Sequence, residues 1–312
     1  MPVATRPASR KTKKKSARRP IASPQPLSNP RWQELPWLIH GFSARPGGVT
    51  TIYSPDRAAG ELNLGFTASD TKRNVERNRR LFTESLTHAK PAAKKPRLTT
   101  LRQIHSSIIH EATPATAALD APPQADGLIT DQPGILLAVQ TADCIPILIV
   151  DPVNQVVAAF HAGWRGTVRR IVQNGVGLMR LRYGSDPAKL LAAIGPGIGP
   201  CCYAVGEEVV SEFTSQFAYA PKLFREVYDL DPIKEKYPML FLTARAPGHS
   251  NLGPQTHLDL WQANRRQLLD AGLKPKNIWL AEECTACSTD KYFSHRAERG
   301  FTGRLMSVVG LR

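Results

Sequence analysis

The sequence predicts an α/β protein, a single-domain mixed-sheet sandwich. Three observations predict it. Residues 135–139, 144–150 and 156–160 are short apolar, β-branched runs with the length and composition of buried strands. Residues 167–182 place Val168, Ile171, Val172, Val176 and Met179 along one stripe with arginines elsewhere, as an amphipathic helix does. Strands and helices interleave without strict alternation, which favours a mixed sheet over a doubly wound parallel one. The 312 residues, 42% of them hydrophobic, suffice for a sizeable core. No apolar run reaches the ~18–20 residues of a membrane span.

The elements follow in order. The folded part is expected to begin near Trp37, with a strand at 38–42 and a turn-rich loop at Arg45-Pro-Gly-Gly-Val-Thr. Residues 70–88 read as a helix capped by Asp70, and Lys/Pro/Ala-rich residues 89–96 as a surface connection. Residues 98–109 read as a strand carrying His105, and 114–123 as an Ala/Pro loop. After the three central strands and the 167–182 helix, 190–194 is a strand running into a Gly/Pro loop. Helices at 207–217 and 258–271 and closing strands at 277–281 and 305–309 complete the chain. There is no internal repeat.

The net charge of +15 is concentrated in a tail. Residues 1–33 hold nine Lys or Arg and no acid, leaving +6 for the rest. Rich in Pro, Ser and Ala, the tail buries too little apolar surface to offset its ordering entropy. Residues 1–36 are therefore expected to be a disordered basic arm, and residues 37–312 the catalytic domain. The arm reads as dispensable; nucleic acid is expected as a partner only through it. No apolar segment follows the basic residues, so no secretory signal is expected. Five cysteines, an odd count in a long chain, do not form a disulfide scaffold. They point to a reducing compartment, the cytoplasm.

Two apolar strands flank Asp151-Pro152-Val153-Asn154, a turn-forming sequence. A turn centred between Pro152 and Val153 sets Cys144 opposite His161, on one face of the ladder. A thiolate and an imidazole so placed can share a metal or form a nucleophile–base dyad. The inference depends on register, because a one-residue slip separates them to opposite faces.

Several motifs together resemble one family: Arg102-Gln-Ile-His105, Thr141-Ala-Asp-Cys144, His161-Ala-Gly-Trp-Arg-Gly166, and Ile194-Gly-Pro-Gly-Ile-Gly-Pro-Cys-Cys-Tyr203. Phe42-Ser-Ala-Arg-Pro-Gly-Gly-Val49, Leu62-Asn-Leu-Gly65, Asn78-Arg79, Phe293-Ser-His-Arg296 and Thr302-Gly-Arg304 agree with it. The chain, over residues 38–311, is similar to the YfiH-type family, also called the laccase-domain or polyphenol oxidase family. The resemblance implies that family's mixed-sheet α/β sandwich, with His105, Cys144 and His161 as zinc ligands. His₂Cys with an open fourth position is also sound catalytic-zinc chemistry. It implies purine nucleoside phosphorylase activity: phosphate cleaves adenosine, inosine or guanosine to base and ribose 1-phosphate. Methylthioadenosine phosphorolysis and adenosine deamination are related activities. The partners implied are thus a purine nucleoside and phosphate.

On that reading Arg45, Arg102 or Arg165 would clamp phosphate oxygens. Asp143 would hold a ligand histidine or act as acid/base, unless it only caps the turn. Gln103 would bond base or sugar, or equally backbone. Ala204 stands where much of the family has Glu, with Glu207 close by. The alternative enzyme is a peptidoglycan-precursor editing amidohydrolase, using Cys144 with His161 as base or a zinc-activated water. A third reading is an anion- or nucleic-acid-binding protein working through the tail. Phenol oxidation is disfavoured: the chain has eight His and no H-x-H pair for several coppers. Cys284-Thr-Ala-Cys287 reads as a lone half of a zinc spacing, and Cys201-Cys202, in extended chain, as unable to chelate.

Overall fold

The computed structural model describes residues 23–53, 60–87, 96–117, 121–227 and 254–312. The expectations for the arm up to residue 22, for 89–95 and for 118–120 lie outside these. The chain runs β1 (Leu38–Phe42), β2 (Pro46–Thr50), α1 (Lys72–Thr87), β3 (Arg97–Thr99), β4 (Ile109–Glu111) and α2 (Pro114–Ala117). It continues with β5 (Gly127–Thr130), β6 (Ile135–Thr141), β7 (Ile145–Asp151), β8 (Val156–Ala162), α3 (Trp164–Val168), α4 (Ile171–Tyr183), β9 (Leu191–Ile194) and α5 (Glu207–Gln216). Last come β10 (Phe224–Val227), β11 (Gln255–Leu258), α6 (Leu260–Asp270), β12 (Ile278–Leu280) and β13 (Leu305–Leu311).

The expected mixed-sheet sandwich is present. One sheet has the order β1-β13-β6-β3, the other β12-β9-β7-β8-β5-β4, and β10 and β11 form a separate pair. Both large sheets mix parallel and antiparallel neighbours. Strand alternation assigns the layers. In β7, Ile145, Ile147 and Ile149 join Phe160 of β8 and the apolar stripes of α4 and α6 in one core. Leu148, Val150, Val157 and Ala159 point the other way, against Leu137, Val139, Val309 and Leu311 of the smaller sheet. That sheet's outer face, with Leu136, Ala138, Met306 and Val308, is covered by Phe82 of α1. The layers are therefore helix, sheet, sheet, helix.

Several expectations are corrected. The folded part begins before Trp37: Leu27 pairs its backbone with Phe42, and Trp32, 2% exposed, sits in the inter-sheet core. The burial of one large aromatic outweighs the basic, proline-rich character of its surroundings. Residues 46–50 form strand β2 rather than a loop, bridged to Glu61. Helix α1 is capped by Thr71, whose Oγ1 accepts from Asn74 N; Asp70 instead binds Thr50 and Asn63. The 167–182 helix is two helices, broken where Arg170 takes a left-handed conformation (φ 57°) and hydrogen-bonds Gln216. Strands β5, β10 and β11, four residues each, were not foreseen. No helix among the described residues is long and apolar enough to cross a membrane.

Candidate active site

The β7–β8 hairpin sets the site, with a register shifted by two residues from the expected one. Pro146, not Cys144, pairs with His161, and Asp151 pairs with Val156. The cause is the turn. Asp151 Oδ1 accepts from Val153 N (2.8 Å) and Asn154 N (3.1 Å), and Gln155 takes φ 53°, so four residues close the hairpin. A two-residue shift preserves the face. Cys144 and His161 are therefore diagonal neighbours at the end of the inter-sheet face. Gly163 lies beside Cys144, and a Cβ on it would come within 2.9 Å of Cys144 Sγ and 3.2 Å of His105 Cδ2. The missing side chain is what lets these two groups converge.

His105 reaches the same place from a loop, not from the expected strand. It lies between β3 and β4 with φ 57°. The organiser is Asp126, which the sequence reading missed. Its carboxylate, fully buried, accepts from Ile104 N (3.3 Å), His105 N (3.1 Å), Ser106 N (2.6 Å) and Ser106 Oγ (2.7 Å). The same Oδ1 receives His161 Nδ1 at 2.8 Å. One carboxylate thus bends the His105 loop and fixes the His161 tautomer, leaving Nε2 for the site. The only sequence signal for it was an Asp-Gly pair opening the short run that became β5.

Cys144 Sγ lies 3.9 Å from His105 Nε2, and the two imidazole centroids are 4.9 Å apart at 73°. The three ligand atoms all lie within 4.8 Å of one another. A tetrahedral zinc with bonds of roughly 2.0–2.3 Å would hold such atoms about 3.5 Å apart. The trio fits a metal ion after small rotations, with Gly163 providing the clearance. Electrostatics favour the thiolate of Cys144 paired with a protonated His161, whose proton a bound metal ion would displace. Burial alone would raise the Cys144 thiol, but the His161 charge and hydrogen bonds from both histidines outweigh it and hold it at about 6. Burial would lower His161, yet Cys144 and Asp126 raise it to about 9. Burial would also raise Asp126; the bonds from His161 and Ser106 pull it down to about 2.

The trio lines a cavity of about 750 Å³. Gln103 and Asp143 line it too, but Arg45, Arg102 and Arg165 do not. Arg45 is 2% exposed, with Nε on Glu61 (2.7 Å) and Nη1 on Glu298 (2.7 Å) and Thr289 O (2.8 Å). It is a structural cation whose hydrogen bonds are taken by two acids and a backbone carbonyl. Arg102 is exposed and ties its backbone to Pro123 and Gln124. Arg165, half exposed, stacks over Trp164 and faces Glu208 at 3.9 Å. Gln103 exchanges both amide hydrogen bonds with the Gln140 backbone (2.7 Å each), so it follows the backbone alternative. Asp143 does not hold a histidine. Its carboxylate accepts from Thr285 Oγ1 (2.7 Å) and Arg296 N (2.8 Å), pinning two distant segments beside Cys144. Glu207 opens α5 and lies outside the cavity.

The arginines that do line the cavity are Arg296 and Arg304, both inside motifs already noted. Arg296 Nη1 and Nη2 both donate to Ala204 O (3.1 Å each), and Arg304 Nη1 donates to Thr302 O and Gly303 O. Phe66 and Phe301, 56% and 55% exposed, also line it.

A His/Cys/His centre in a cleft, with cationic and aromatic walls, defines a metal-capable site of an enzyme. The chain belongs to the family described as multi-copper polyphenol oxidoreductase laccase, whose model matches residues 39–312. It is similar to purine nucleoside phosphorylase YlmD of Geobacillus stearothermophilus, 35% identical over 288 residues, covering 88% of this chain and 94% of the relative. Adenosine deaminase RL5, from an unknown prokaryotic organism, is 35% identical over 213 residues, covering 65% of this chain and 72% of the relative. The crystal structure of the hypothetical protein YfiH of Bacillus licheniformis superposes with a TM-score of 0.74 at 30% identity, covering 93% of this chain and 97% of that one. Despite the family's description, only two groups of three or more potential ligands occur among the described residues, and only one of them contains histidine.

Proposed function

We propose that this protein is a zinc-dependent purine nucleoside phosphorylase of the cytoplasm, cleaving adenosine, inosine or guanosine with phosphate. The observation that carries the reading is the convergence, in one cavity, of the His105/Cys144/His161 trio with Arg296, Arg304 and exposed aromatic faces. The phosphorylase name of a relative matched over nearly its whole length supports it.

His105, Cys144 and His161 would hold the zinc, which when bound polarises an oxygen ligand as a Lewis acid. The remaining work falls to the chain. Arg296 and Arg304 attract the phosphate dianion, their guanidinium groups oriented in advance by carbonyl acceptors. Phe66 and Phe301 offer apolar surface to the flat purine. Asp126 holds His161 and the His105 loop in place, so the site costs little reorganisation during turnover. A phosphate oxygen bonds to the anomeric carbon as the glycosidic bond to the purine breaks, and the proton that the hydrogen phosphate gives up leaves on the purine. Adenosine deamination at the same site is a second reading, supported by the relative that carries that name.

The test is a phosphate-dependent assay of zinc-loaded protein with adenosine, inosine and guanosine, detecting free base and ribose 1-phosphate. We expect cleavage that requires phosphate and disappears in Cys144→Ala. Absence of phosphate-dependent cleavage, or full activity in Cys144→Ala, overturns the reading. Hydrolysis of a peptidoglycan precursor without metal would instead favour the Cys144/His161 dyad.

A further inference from the structure

Four cysteines outside the active site come together in a way the sequence reading did not foresee. Cys201 Sγ and Cys202 Sγ lie 3.4 and 3.3 Å from Cys287 Sγ, and with Cys284 all four sulfurs fall within 4.8 Å of one another. Cys201 and Cys202 were expected to point apart because extended chain alternates its side chains. The chain is not extended there: Cys202 N and Tyr203 N both donate to Gly199 O (3.0 and 3.1 Å), a tight turn that brings both thiols to one side. The Cys284–Cys287 half is a turn as well, closed by Ser288 N on Cys284 O (3.2 Å).

We propose that Cys201, Cys202, Cys284 and Cys287 form a second metal centre, a closed four-thiolate zinc site that is structural rather than catalytic. Three observations support it. A tetrahedral zinc with Zn–S near 2.3 Å places sulfurs about 3.8 Å apart; the separations here surround that figure. The C-x-x-C turn has the ligand spacing of structural zinc sites, and its missing half is the vicinal pair. Cys284 Sγ accepts a hydrogen bond from Gly199 N (3.2 Å), the backbone support that ligating thiolates take. Gly199 is required there: a Cβ would meet the Trp261 ring at 2.7 Å and Cys201 Sγ at 3.2 Å. No sulfur pair is at the ~2.05 Å of a disulfide, and all four thiols are free.

The centre joins the Gly/Pro loop after β9 to the segment after β12. The first carries Ile198 and Tyr203 into the cavity wall. The second carries Thr285, which holds Asp143 beside Cys144. The ion would therefore fasten one wall of the active site without entering it.

Metal content of full-length protein, purified under reductant and loaded with zinc, tests the proposal. We expect two zinc ions per chain in the wild type, one in Cys144→Ala, and one in the double variant Cys284→Ser/Cys287→Ser. A wild type with one zinc that Cys144→Ala abolishes, or an intact mass showing a disulfide among these four cysteines in reduced protein, overturns it. Iron in place of zinc at the four sulfurs also overturns the zinc assignment. If the active-site reading fails instead, wild type and Cys144→Ala both hold one zinc and the double variant none, so the two failures differ. Should the double variant not fold, cobalt-substituted Cys144→Ala decides. Four-thiolate charge-transfer intensity is expected, and its absence refutes the site.

Discussion

Gly163→Ala should leave the fold standing and disable the proposed His105/Cys144/His161 metal centre. Gly163 has φ −70° and ψ 173°, extended backbone that any residue adopts, so the substitution carries no conformational penalty. The added methyl, however, arrives 2.9 Å from Cys144 Sγ and 3.2 Å from His105 Cδ2. Heavy atoms in contact rest roughly 3.5–4.0 Å apart. The sulfur must then retreat by about 0.6–1.1 Å and the imidazole by about 0.3–0.8 Å. His105, though exposed, is held by the hydrogen bonds of its loop to Asp126, and Cys144 is fixed at a strand end, so neither ligand gives way freely. Metal–ligand bonds keep within about 0.2 Å of their ordinary lengths, and a methyl in the space between Sγ and His105 blocks the approach by which the ligands would reach that distance. Zinc affinity should fall at least 10–100-fold, the loss typical of removing an outer-shell partner. Overpacking should cost the metal-free fold only about 1 kcal/mol. Chelator competition measures the first quantity and thermal unfolding of metal-free protein the second. Wild-type zinc affinity in Gly163→Ala would refute the argument, because Sγ would then not face the space that Gly163 leaves open.

The remaining predictions test separate parts of the structure. Asp126→Asn replaces an acceptor by an amide donor facing either His161 Nδ1 or the Ser106 N–H; zinc affinity should drop about 10–100-fold, and an unchanged chelator titration would contradict the organising role. Arg45→Met leaves Glu61 without its buried guanidinium and should destabilise by about 3–5 kcal/mol in urea unfolding, with the KM for phosphate unchanged; a raised KM at normal stability would restore Arg45 as a phosphate clamp. Arg304→Ala should raise the KM for phosphate more than that for nucleoside, and equal effects would count against it. Burial lowers His40 from 6.5 to about 4 despite a hydrogen bond to the Asn29 backbone. Its unfolded form therefore binds a proton below pH 6.5 while the folded form does so only below about 4. Stability should fall by about 3 kcal/mol as pH drops through that window, and His40→Gln should flatten the change in thermal midpoint between pH 7 and 4.5.

What was legible in the sequence was whatever local pattern carries. β6, β7 and β8 declared themselves as apolar, β-branched runs, because both faces of each central strand are buried. The hairpin register came out two residues off because Asp151, as a turn-forming side chain, closes a longer loop than the dipeptide rule expects. The error was harmless only because an even shift returns a side chain to the same face. The loop of His105 was illegible for a different reason. Its alternating pattern suits a strand, but three consecutive N–H groups bond one carboxylate about twenty residues away. Nothing local to residues 98–109 reveals that acceptor. The four-cysteine cluster failed likewise, since its halves lie 85 residues apart and one of them required a turn.

The arginines show where motif reading reaches its limit. Arg45, Arg102 and Arg165 sit in glycine-rich or histidine-bearing motifs, and each looked like a phosphate ligand on that ground. An arginine's availability depends on what already occupies its donors. Arg45 meets two carboxylates inside the protein, and a guanidinium so neutralised has little attraction left for an anion. Arg296 and Arg304 give their hydrogen bonds to carbonyl oxygens instead. A carbonyl fixes the orientation of a guanidinium without cancelling its charge. Those two therefore reach the cavity both oriented and charged, which is what the proposed phosphate role asks of them. Sequence alone offers no view of this distinction, because it depends on which acceptor the folded chain brings within hydrogen-bond reach.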